Sequence, residues 1–273
     1  MKTRIITAAL LLPAFLIIVL LLPSVFTAIL FGLMTAVAAY ELLWGTNFLK
    51  HPRLIAYAAV MAFLVSVWSG LGAGYVWALL GVLVFVLILF AEIMISDMKL
   101  PFDKVILCAA AGLLIPFLLT ALVRIRSASY GRFYILIPII VAFISDSGAY
   151  FAGFYLGKHK LAPNISPKKT IEGAIGGIVA AVIGLVIYGL VLQLGFGFRV
   201  NYIAAIIYGV VGSVSGVFGD LCFSAIKRQT GIKDYGNLMP GHGGILDRFD
   251  SMVIIAPLME ILLILLPMAV KLS

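Results

Sequence analysis

The amino-acid sequence predicts an all-α protein of the polytopic membrane class, built as a bundle of transmembrane helices. Of its 273 residues, 64% are hydrophobic and only 11% are charged, whereas soluble domains carry about 25% charged residues. The mean hydropathy is +1.21. Apolar runs of about 20 residues recur along the chain, and each is long enough to cross roughly 30 Å of hydrocarbon as a helix.

The apolar runs predict about nine spans. The first follows Lys2 and Arg4, as in a signal peptide, but it is too long for a leader, and a second span follows Pro23. We therefore expect the first helix to be retained in a single integral-membrane domain, 1–273, with mainly structural helices in 1–125 and the catalytic half in 133–273. The predicted spans are 5–22, 24–45, 54–69, 75–96, 104–123, 133–156, 173–195, 201–224 and 251–270.

Charge placement predicts the orientation. With a cytoplasmic N-terminus, most of the 19 basic residues fall on the inner side, as the positive-inside rule requires. The sequence thus predicts a protein of the inner (cytoplasmic) membrane, and the loop from Arg124 to Arg132 is its discordant element. The inner residues are Lys2, Arg4, Lys50, Arg53, Lys99, Lys104, Lys158, Lys160, Lys168, Lys169, Lys227, Arg228, Lys233 and Arg248; the outer ones are Arg124, Arg126, Arg132, Arg199 and Lys271.

The formal net charge of +8 suits anionic lipid headgroups or a polyanionic substrate. Nucleic acid is not an expected partner, because the lysines lie in short loops between helices and form no basic arm. Cys108 and Cys222 lie in or at apolar spans, so they form neither a disulfide framework nor a zinc site.

Two polar segments stand out in the second half. Asp146 lies about 12 residues before Lys158, which places it roughly 18 Å along its helix, inside the bilayer. A carboxylate at that depth should face the bundle interior or a wet cavity, and Gly153 on the same face permits close backbone approach. Downstream, Ser166 and Pro167 predict a helix N-cap followed by proline at the first helical position. Lys168, Lys169 and Thr170 would then occupy the first turn, where a phosphate is favoured, unless the lysines only anchor the loop at the membrane surface.

Two further clusters carry aspartates. Asp220, Ser224 and Lys227 share one helical face by their spacing, although a carboxylate and a lysine seven residues apart could also be a simple snorkelling pair. In LMPGHGGILDRFD, glycines predict a tight turn, and a helix from about Ile245 would carry Asp247 and Asp250 in its first turns. Ordinary capping of that helix is the alternative. Carboxylates of this kind suit Mg²⁺ together with substrate phosphates, so the residues predict phosphoryl or nucleotidyl transfer onto a lipid at the cytoplasmic interface of the C-terminal half.

One stretch resembles a known family. SAIKRQTGIKDYGNLMPGHGGILDRFD, residues 224–250 and here called the signature segment, is similar to the signature of phosphatidate cytidylyltransferases (CDP-diacylglycerol synthases). Its elements are S-x-x-K-R-x-x-x-x-K-D, then P-G-H-G-G, then D-R-x-D. Upstream, SDSGAYFAGFYLGKHKL and SPKKTIEGAIGG also resemble the family. The likeness covers roughly residues 140–255, whereas the first half shows only hydrophobic spans.

The resemblance implies that CTP and phosphatidic acid react to CDP-diacylglycerol and pyrophosphate with Mg²⁺ in a lipid membrane. It leaves a second cation and a homodimer open. The implied metal ligands are Asp220, Asp247 and Asp250, with Asp146 as a deeper supporting carboxylate, and the first three are also, with Lys227, the implied catalytic residues. The implied substrate-binding residues are Lys168, Lys169, Thr170, Ser224, Arg228, His242, Gly243, Gly244 and Arg248.

Two other classes of function remain open from the sequence. One is a CTP-dependent polyprenol or phytol-type lipid kinase, which resembles the family more loosely. The other is a transporter, in which Asp146 and Asp220 would line a pathway. A transporter would need polar residues at depth in both halves or paired repeats, and the first five spans carry few charges, with Glu41 and Glu92 as exceptions expected near the interfaces.

Overall fold

The computed structural model describes residues 2–72, 74–239, 241 and 243–271, with the side chains of 2–8 left out of the description. Helices account for 76% of the chain, which confirms the predicted all-α class. The chain folds into two compact units. Unit one comprises Met1–Arg132 and Lys227–Phe249, and unit two comprises Phe133–Ile226 and Asp250–Ser273.

The helices and strands follow one another along the chain. Two π-helical turns, Glu41–Gly45 and Ala110–Leu114, interrupt the α-helical pattern. The strands are β1 (Lys160–Ala162), β2 (Ser166–Thr170), β3 (Phe198–Val200) and β4 (Ala269–Lys271). The α-helices are α1 (Lys2–Leu20), α2 (Ser24–Tyr40), α3 (Pro52–Leu71), α4 (Tyr75–Ile95), α5 (Phe102–Ala109), α6 (Ile115–Leu119), α7 (Ala121–Ser127), α8 (Gly131–Tyr134), α9 (Leu136–Leu156), α10 (Ile171–Phe196), α11 (Tyr202–Gln229), α12 (Leu246–Phe249) and α13 (Met252–Leu265).

Apolar helices coincide with all of the predicted hydrophobic runs. Helix α13, Met252–Leu265, is shorter than a full span, and Ala9–Leu20 is the part of α1 with described side chains, so the count of nine spans stays a prediction. Within the described part of the chain, seven helical segments are long and apolar enough to cross a membrane: Ser24–Gly45, Pro52–Leu71, Tyr75–Ile95, Phe102–Ser127, Gly131–Leu156, Ile171–Phe196 and Tyr202–Gln229.

In unit one, helices α2 and α3 pack closely along their length. The buried hydroxyl of Thr35 donates to the carbonyl of Ala62 at 3.0 Å, and that of Ser66 donates to the carbonyl of Ala28 at 2.9 Å. Small hydroxyl side chains let two helices approach and bridge them with hydrogen bonds, which is the usual packing chemistry of membrane helices. The close packing of α2 and α3 supports the end of α2, where the π-helical turn begins.

Two of the three discordant arginines of the 124–132 loop, Arg124 and Arg126, are held by backbone carbonyls of unit one. Arg126 is only 8% exposed, and its guanidinium donates to the carbonyls of Val19 at 2.6 Å and Leu22 at 2.8 Å. These carbonyls end α1 or follow it and lack helical partners. Arg124 likewise donates to the Phe117 carbonyl at 3.1 Å. The two charges are therefore structural caps rather than free loop charges.

In unit two, helices α9 and α10 pack through small residues. A Cβ at Gly176 would collide with that of Ala152, and a Cβ at Gly148 would collide with that of Ala180. A Cβ at Gly153 would come to 3.0 Å from the Thr170 hydroxyl, which confirms the close approach predicted there. This packing fixes the strand that precedes α10 against the end of α9.

The predicted N-cap of α10 is wrong. Ser166 begins strand β2, which pairs antiparallel with β1 so that Lys160 faces Thr170 and Ala162 faces Ser166. The helix begins four residues later than expected, with Thr170 as its N-cap, whose hydroxyl accepts from the Gly173 N–H at 3.1 Å. The residue before a proline favours extended backbone, and Thr170 offers a second capping side chain downstream. These two features explain why the helix begins later than predicted. Lys168 and Lys169 therefore lie on a hairpin strand instead of a first helical turn.

The C-terminal part of unit two also departs from its predicted span. Helix α13 ends at Leu265, before Pro267, and residues 269–271 form β4, which pairs antiparallel with β3. Lys271 donates to the carbonyl of Phe196. Proline lacks the N–H that helix continuation needs, and the ribbon satisfies the following backbone instead.

Candidate active site

The carboxylate of Asp247 lies in the interior of unit one, where it binds three donors. Its side chain is 3% exposed. Oδ2 accepts from the backbone N–H of Tyr235 at 2.8 Å and of Gly244 at 3.0 Å. Oδ1 accepts from Lys227 Nζ at 2.9 Å. Asp247 thus holds two points of the loop 230–245, here called the signature loop, and neutralises a buried lysine.

Lys227 is as deeply buried as its partner. Its side chain is 10% exposed, and Nζ also lies 5.3 Å from the ring centroid of the buried Tyr235. The suggested snorkelling pair with Asp220 is therefore not the observed pairing, because each of these two side chains binds another residue. Removing one member of a buried ion pair is energetically costly. Lys227 therefore holds Asp247 in position, and its ammonium group supplies the positive charge of the pair.

The signature loop turns through glycines. Met239 and Gly243 form an isolated antiparallel bridge, and Gly243 adopts a positive φ of 85°. A Cβ there would also come to 3.0 Å from Asp247 Oδ2, so glycine is required for both conformation and space. Pro240 and His242, the latter predicted to line the nucleotide loop, lie outside the described residues.

Sequence reasoning missed one residue of this site, Glu41. Its carboxylate, 3% exposed, accepts from the backbone N–H of Ile245 at 3.0 Å and of Leu246 at 2.9 Å. The signal available in the sequence was a lone acidic residue in an otherwise apolar span, which we assigned to a membrane interface. Nothing in the sequence pointed to a partner so far along the chain.

Unit two contains a second polar cluster around Asp220 of α11. Oδ2 of Asp220 lies 2.5 Å from Lys169 Nζ, and Oδ1 accepts from the Ser224 hydroxyl at 3.0 Å. The side chains of Asp220 and Lys169 are 31% and 25% exposed, so both are accessible from outside the unit. The structure therefore brings together three residues that the sequence placed in two separate segments.

The β1–β2 hairpin that carries Lys168 and Lys169 is fastened at its base. Glu172, in the first turn of α10, accepts from the backbone N–H of Lys158 at 3.1 Å and of His159 at 3.2 Å. Its other oxygen lies 2.6 Å from His159 Nδ1. Lys168 is exposed on this hairpin, and Glu172 gives His159 a structural role.

Of the remaining predicted residues, Asp146 and Asp250 belong to unit two, and Arg228 and Arg248 belong to unit one. Asp250 is 8% exposed, and its Oδ1 accepts from the Ser251 N–H at 2.7 Å. A Cβ at Gly219 of α11 would come to 3.1 Å from the Asp250 carbonyl, so α11 approaches Asp250 closely within unit two. Asp146 is exposed on α9. Of its two predicted settings, the bundle interior is therefore not observed, and a wet cavity remains. Arg228 and Arg248 are both exposed.

The donor set is compatible with a hard cation. Among the described residues, no three His, Cys, Asp or Glu side chains form a ready group of metal ligands. Each carboxylate oxygen nevertheless has two lone pairs. Oδ1 of Asp247 accepts one hydrogen bond and keeps one acceptor position, and the same holds for Oδ1 of Asp220. Both side chains therefore fit a role as oxygen ligands that share their charge with a neighbouring lysine.

Comparison with known proteins places the chain in a family. Residues 2–266 match the family model described as "Cytidylyltransferase family". The chain is 38% identical to the phosphatidate cytidylyltransferase of Bacillus subtilis (strain 168), covering 97% of this chain and 98% of the relative. It is 35% identical to the protein of that name from Staphylococcus epidermidis (97% and 99% covered) and 34% identical to that from Staphylococcus haemolyticus (97% and 99% covered). Because these matches span nearly all of its length, the chain belongs to the cytidylyltransferase family.

Proposed function

We propose that the protein is a phosphatidate cytidylyltransferase, which transfers CMP from CTP to phosphatidic acid and gives CDP-diacylglycerol and pyrophosphate. The observation that carries the proposal is identity of 34% to 38% over 97% of the chain with relatives that bear this name. The arrangement of the signature segment agrees with this proposal, because Lys227 and Asp247 of the motif form one buried pair.

The reaction needs positioning and charge neutralisation more than covalent chemistry. A phosphate oxygen of phosphatidic acid attacks the α-phosphorus of CTP, a new P–O–P bond forms, and the bond to pyrophosphate breaks as pyrophosphate takes its electron pair. Lys169 and the exposed Lys168 offer positive charge to phosphate from the hairpin of unit two. In unit one, the exposed guanidiniums of Arg228 and Arg248 can do the same.

Mg²⁺ is the cofactor we propose. The candidate oxygen ligands are the aspartates that the family resemblance implies, Asp220, Asp247 and Asp250, with Asp146 as the supporting carboxylate. When bound, the ion would neutralise charge that develops on the triphosphate. Lys169 is paired with Asp220 and Lys227 with Asp247, so each of these carboxylates has a compensating ammonium group.

We also propose that the N-terminus and the polar loops face the cytoplasm, where CTP is available. The positive-inside bias supports this orientation. The arginines of the 124–132 loop argue against this orientation, but Arg124 and Arg126 are bound by backbone carbonyls of unit one. Arginines used as caps carry little weight as topology signals, since their position is set by the helix ends that they bind.

One experiment separates the transferase from a lipid kinase. Detergent-purified protein is incubated with Mg²⁺, with CTP labelled at either the α- or the γ-phosphorus, and with either phosphatidic acid or a polyprenol as the lipid. Transfer of CMP places only the α-label in the lipid and releases the γ-label as pyrophosphate. Transfer of the γ-label to a lipid alcohol, with release of CDP, would assign the protein to the kinase class, and no turnover of CTP with any lipid would contradict both.

A further inference from the structure

Glu41 belongs to the first half of the chain but binds the signature loop directly. It opens the π-helical turn Glu41–Gly45 at the end of α2. Its two oxygens each accept one backbone N–H, from Ile245 and from Leu246. These two residues stand two and one positions before Asp247, so the carboxylate fixes the backbone that carries the aspartate.

The surroundings of Glu41 are shaped to admit this carboxylate. A Cβ at Gly236 or at Gly244 would collide with the Glu41 side chain. At the other end of the same π-helical turn, a Cβ at Gly45 would collide with the carbonyl of Tyr235. These glycines therefore let the signature loop approach both the Glu41 side chain and the end of the turn closely. π-Helical turns of this kind are often found at functional sites.

Glu41 and Asp247 each accept two backbone N–H groups from the signature loop and the first residue of α12. Asp247 accepts from Tyr235 and Gly244, while Glu41 accepts from Ile245 and Leu246. A buried N–H without an acceptor is strongly unfavourable, so losing either carboxylate leaves part of the loop unsatisfied. Only Asp247 also contacts Lys227. The hydrogen bonds of Glu41 go to backbone N–H groups, so its contacts hold the backbone in place.

We propose that Glu41 is a positioning residue for CMP transfer. It fixes the backbone of residues 244–246 and, through it, the orientation of Asp247 and its partner Lys227, without contacting substrate. The proposal rests on the proposed cytidylyltransferase function and extends it to the N-terminal helices, for which the sequence predicts a mainly structural role.

The test compares Glu41→Gln with Glu92→Gln. Glutamine keeps the size of Glu41, but its amide NH₂ cannot accept a backbone N–H. Glu92 is a matched control in the same unit, since it is 6% exposed and accepts from the Tyr57 hydroxyl at 3.1 Å, which a glutamine oxygen can still do. We measure kcat and KM for CTP on monodisperse detergent-purified protein, together with amide hydrogen exchange of peptides covering 235–249.

For Glu41→Gln we expect kcat to fall by about 10- to 100-fold, the scale produced by a misplacement of about 1 Å, with a much smaller change in KM. Exchange of the 235–249 peptides should accelerate. Glu92→Gln should match the wild type in both measurements. Glu41→Asp keeps the charge on a shorter side chain, so its kcat should be intermediate.

Wild-type kcat in folded Glu41→Gln, even at a lower melting temperature, would overturn the proposal, as would unchanged exchange in the 235–249 peptides. If Glu41→Gln does not fold, Glu41→Asp decides by the same two criteria. A wild-type protein that forms no CDP-diacylglycerol would instead contradict the proposed function, and the exchange measurement would still test the contact of Glu41 with the loop.

Discussion

At the residue scale, lysine–carboxylate pairs dominate both polar clusters. Asp247 and Lys227 form such a pair inside unit one, and Asp220 and Lys169 form one in unit two. The two pairs differ in exposure, since Asp247 is 3% exposed and Asp220 is 31% exposed. We infer that the first pair is fixed, because a buried charge must keep its partner, and that the second can exchange partners with substrate.

A double-mutant cycle tests the fixed pair. Asp247→Asn strands the buried ammonium of Lys227, and Lys227→Met strands the carboxylate, so each should lower the melting temperature and abolish CMP transfer. The double variant should be more stable than the sum of the two losses predicts, with a coupling energy of about 1 to 3 kcal/mol. Thermal unfolding in detergent and CDP-diacylglycerol formation are the measurements.

Cys222→Ser is the control for this cycle, since the cysteine is free and only partly buried on α11, and it should remain active. Near-normal turnover of Asp247→Asn across a magnesium titration would remove Asp247 from the predicted metal ligands. Additive stability losses would show that the pair is not coupled.

At the element scale, the sequence predicted helices better than their ends. Hydropathy locates each apolar helix because about 20 apolar residues have few alternatives to crossing a bilayer. The start of α10 was misplaced because Ser166 and Thr170 are both good caps, and the choice depends on β1 pairing with β2. Such pairing is non-local, so the residues near the cap do not reveal it.

Glycine positions on α10 provide a test of helix packing. A Cβ at Gly176 would collide with Ala152 of α9, whereas a Cβ at Gly195 meets nothing within 4 Å. Gly176→Ala should therefore destabilise by about 1 to 3 kcal/mol through overpacking. Gly195→Ala, the same substitution on the same helix, should be neutral or stabilising, because alanine is the better helix former by up to about 1 kcal/mol. Melting temperatures in detergent decide, and equal shifts in the two variants would contradict the packing argument.

At the scale of the whole molecule, the two compact units do not follow the division of the chain into halves. The signature loop is part of unit one together with the N-terminal helices, while Asp220 and Asp250 belong to unit two. The sequence could supply most candidate residues through their motif. It could not supply Glu41, because its partners are backbone N–H groups that have no residue-type signature.

The orientation in the membrane is the remaining prediction at this scale. With Cys108 and Cys222 replaced by serine, single cysteines at Lys2, Lys160 and Lys233 should react alike with a membrane-impermeant thiol reagent in intact cells and in inverted vesicles. All three should be protected in cells and labelled in inverted vesicles, because the proposed topology places them on the cytoplasmic side. A cysteine at Tyr130, which is exposed in the turn before α8, should show the opposite pattern. Equal sidedness of Tyr130 and Lys160 would contradict a single crossing by the apolar helix between them. Labelling of the cysteines at Lys160 and Lys233 in intact cells would refute the proposed orientation of the polar loops.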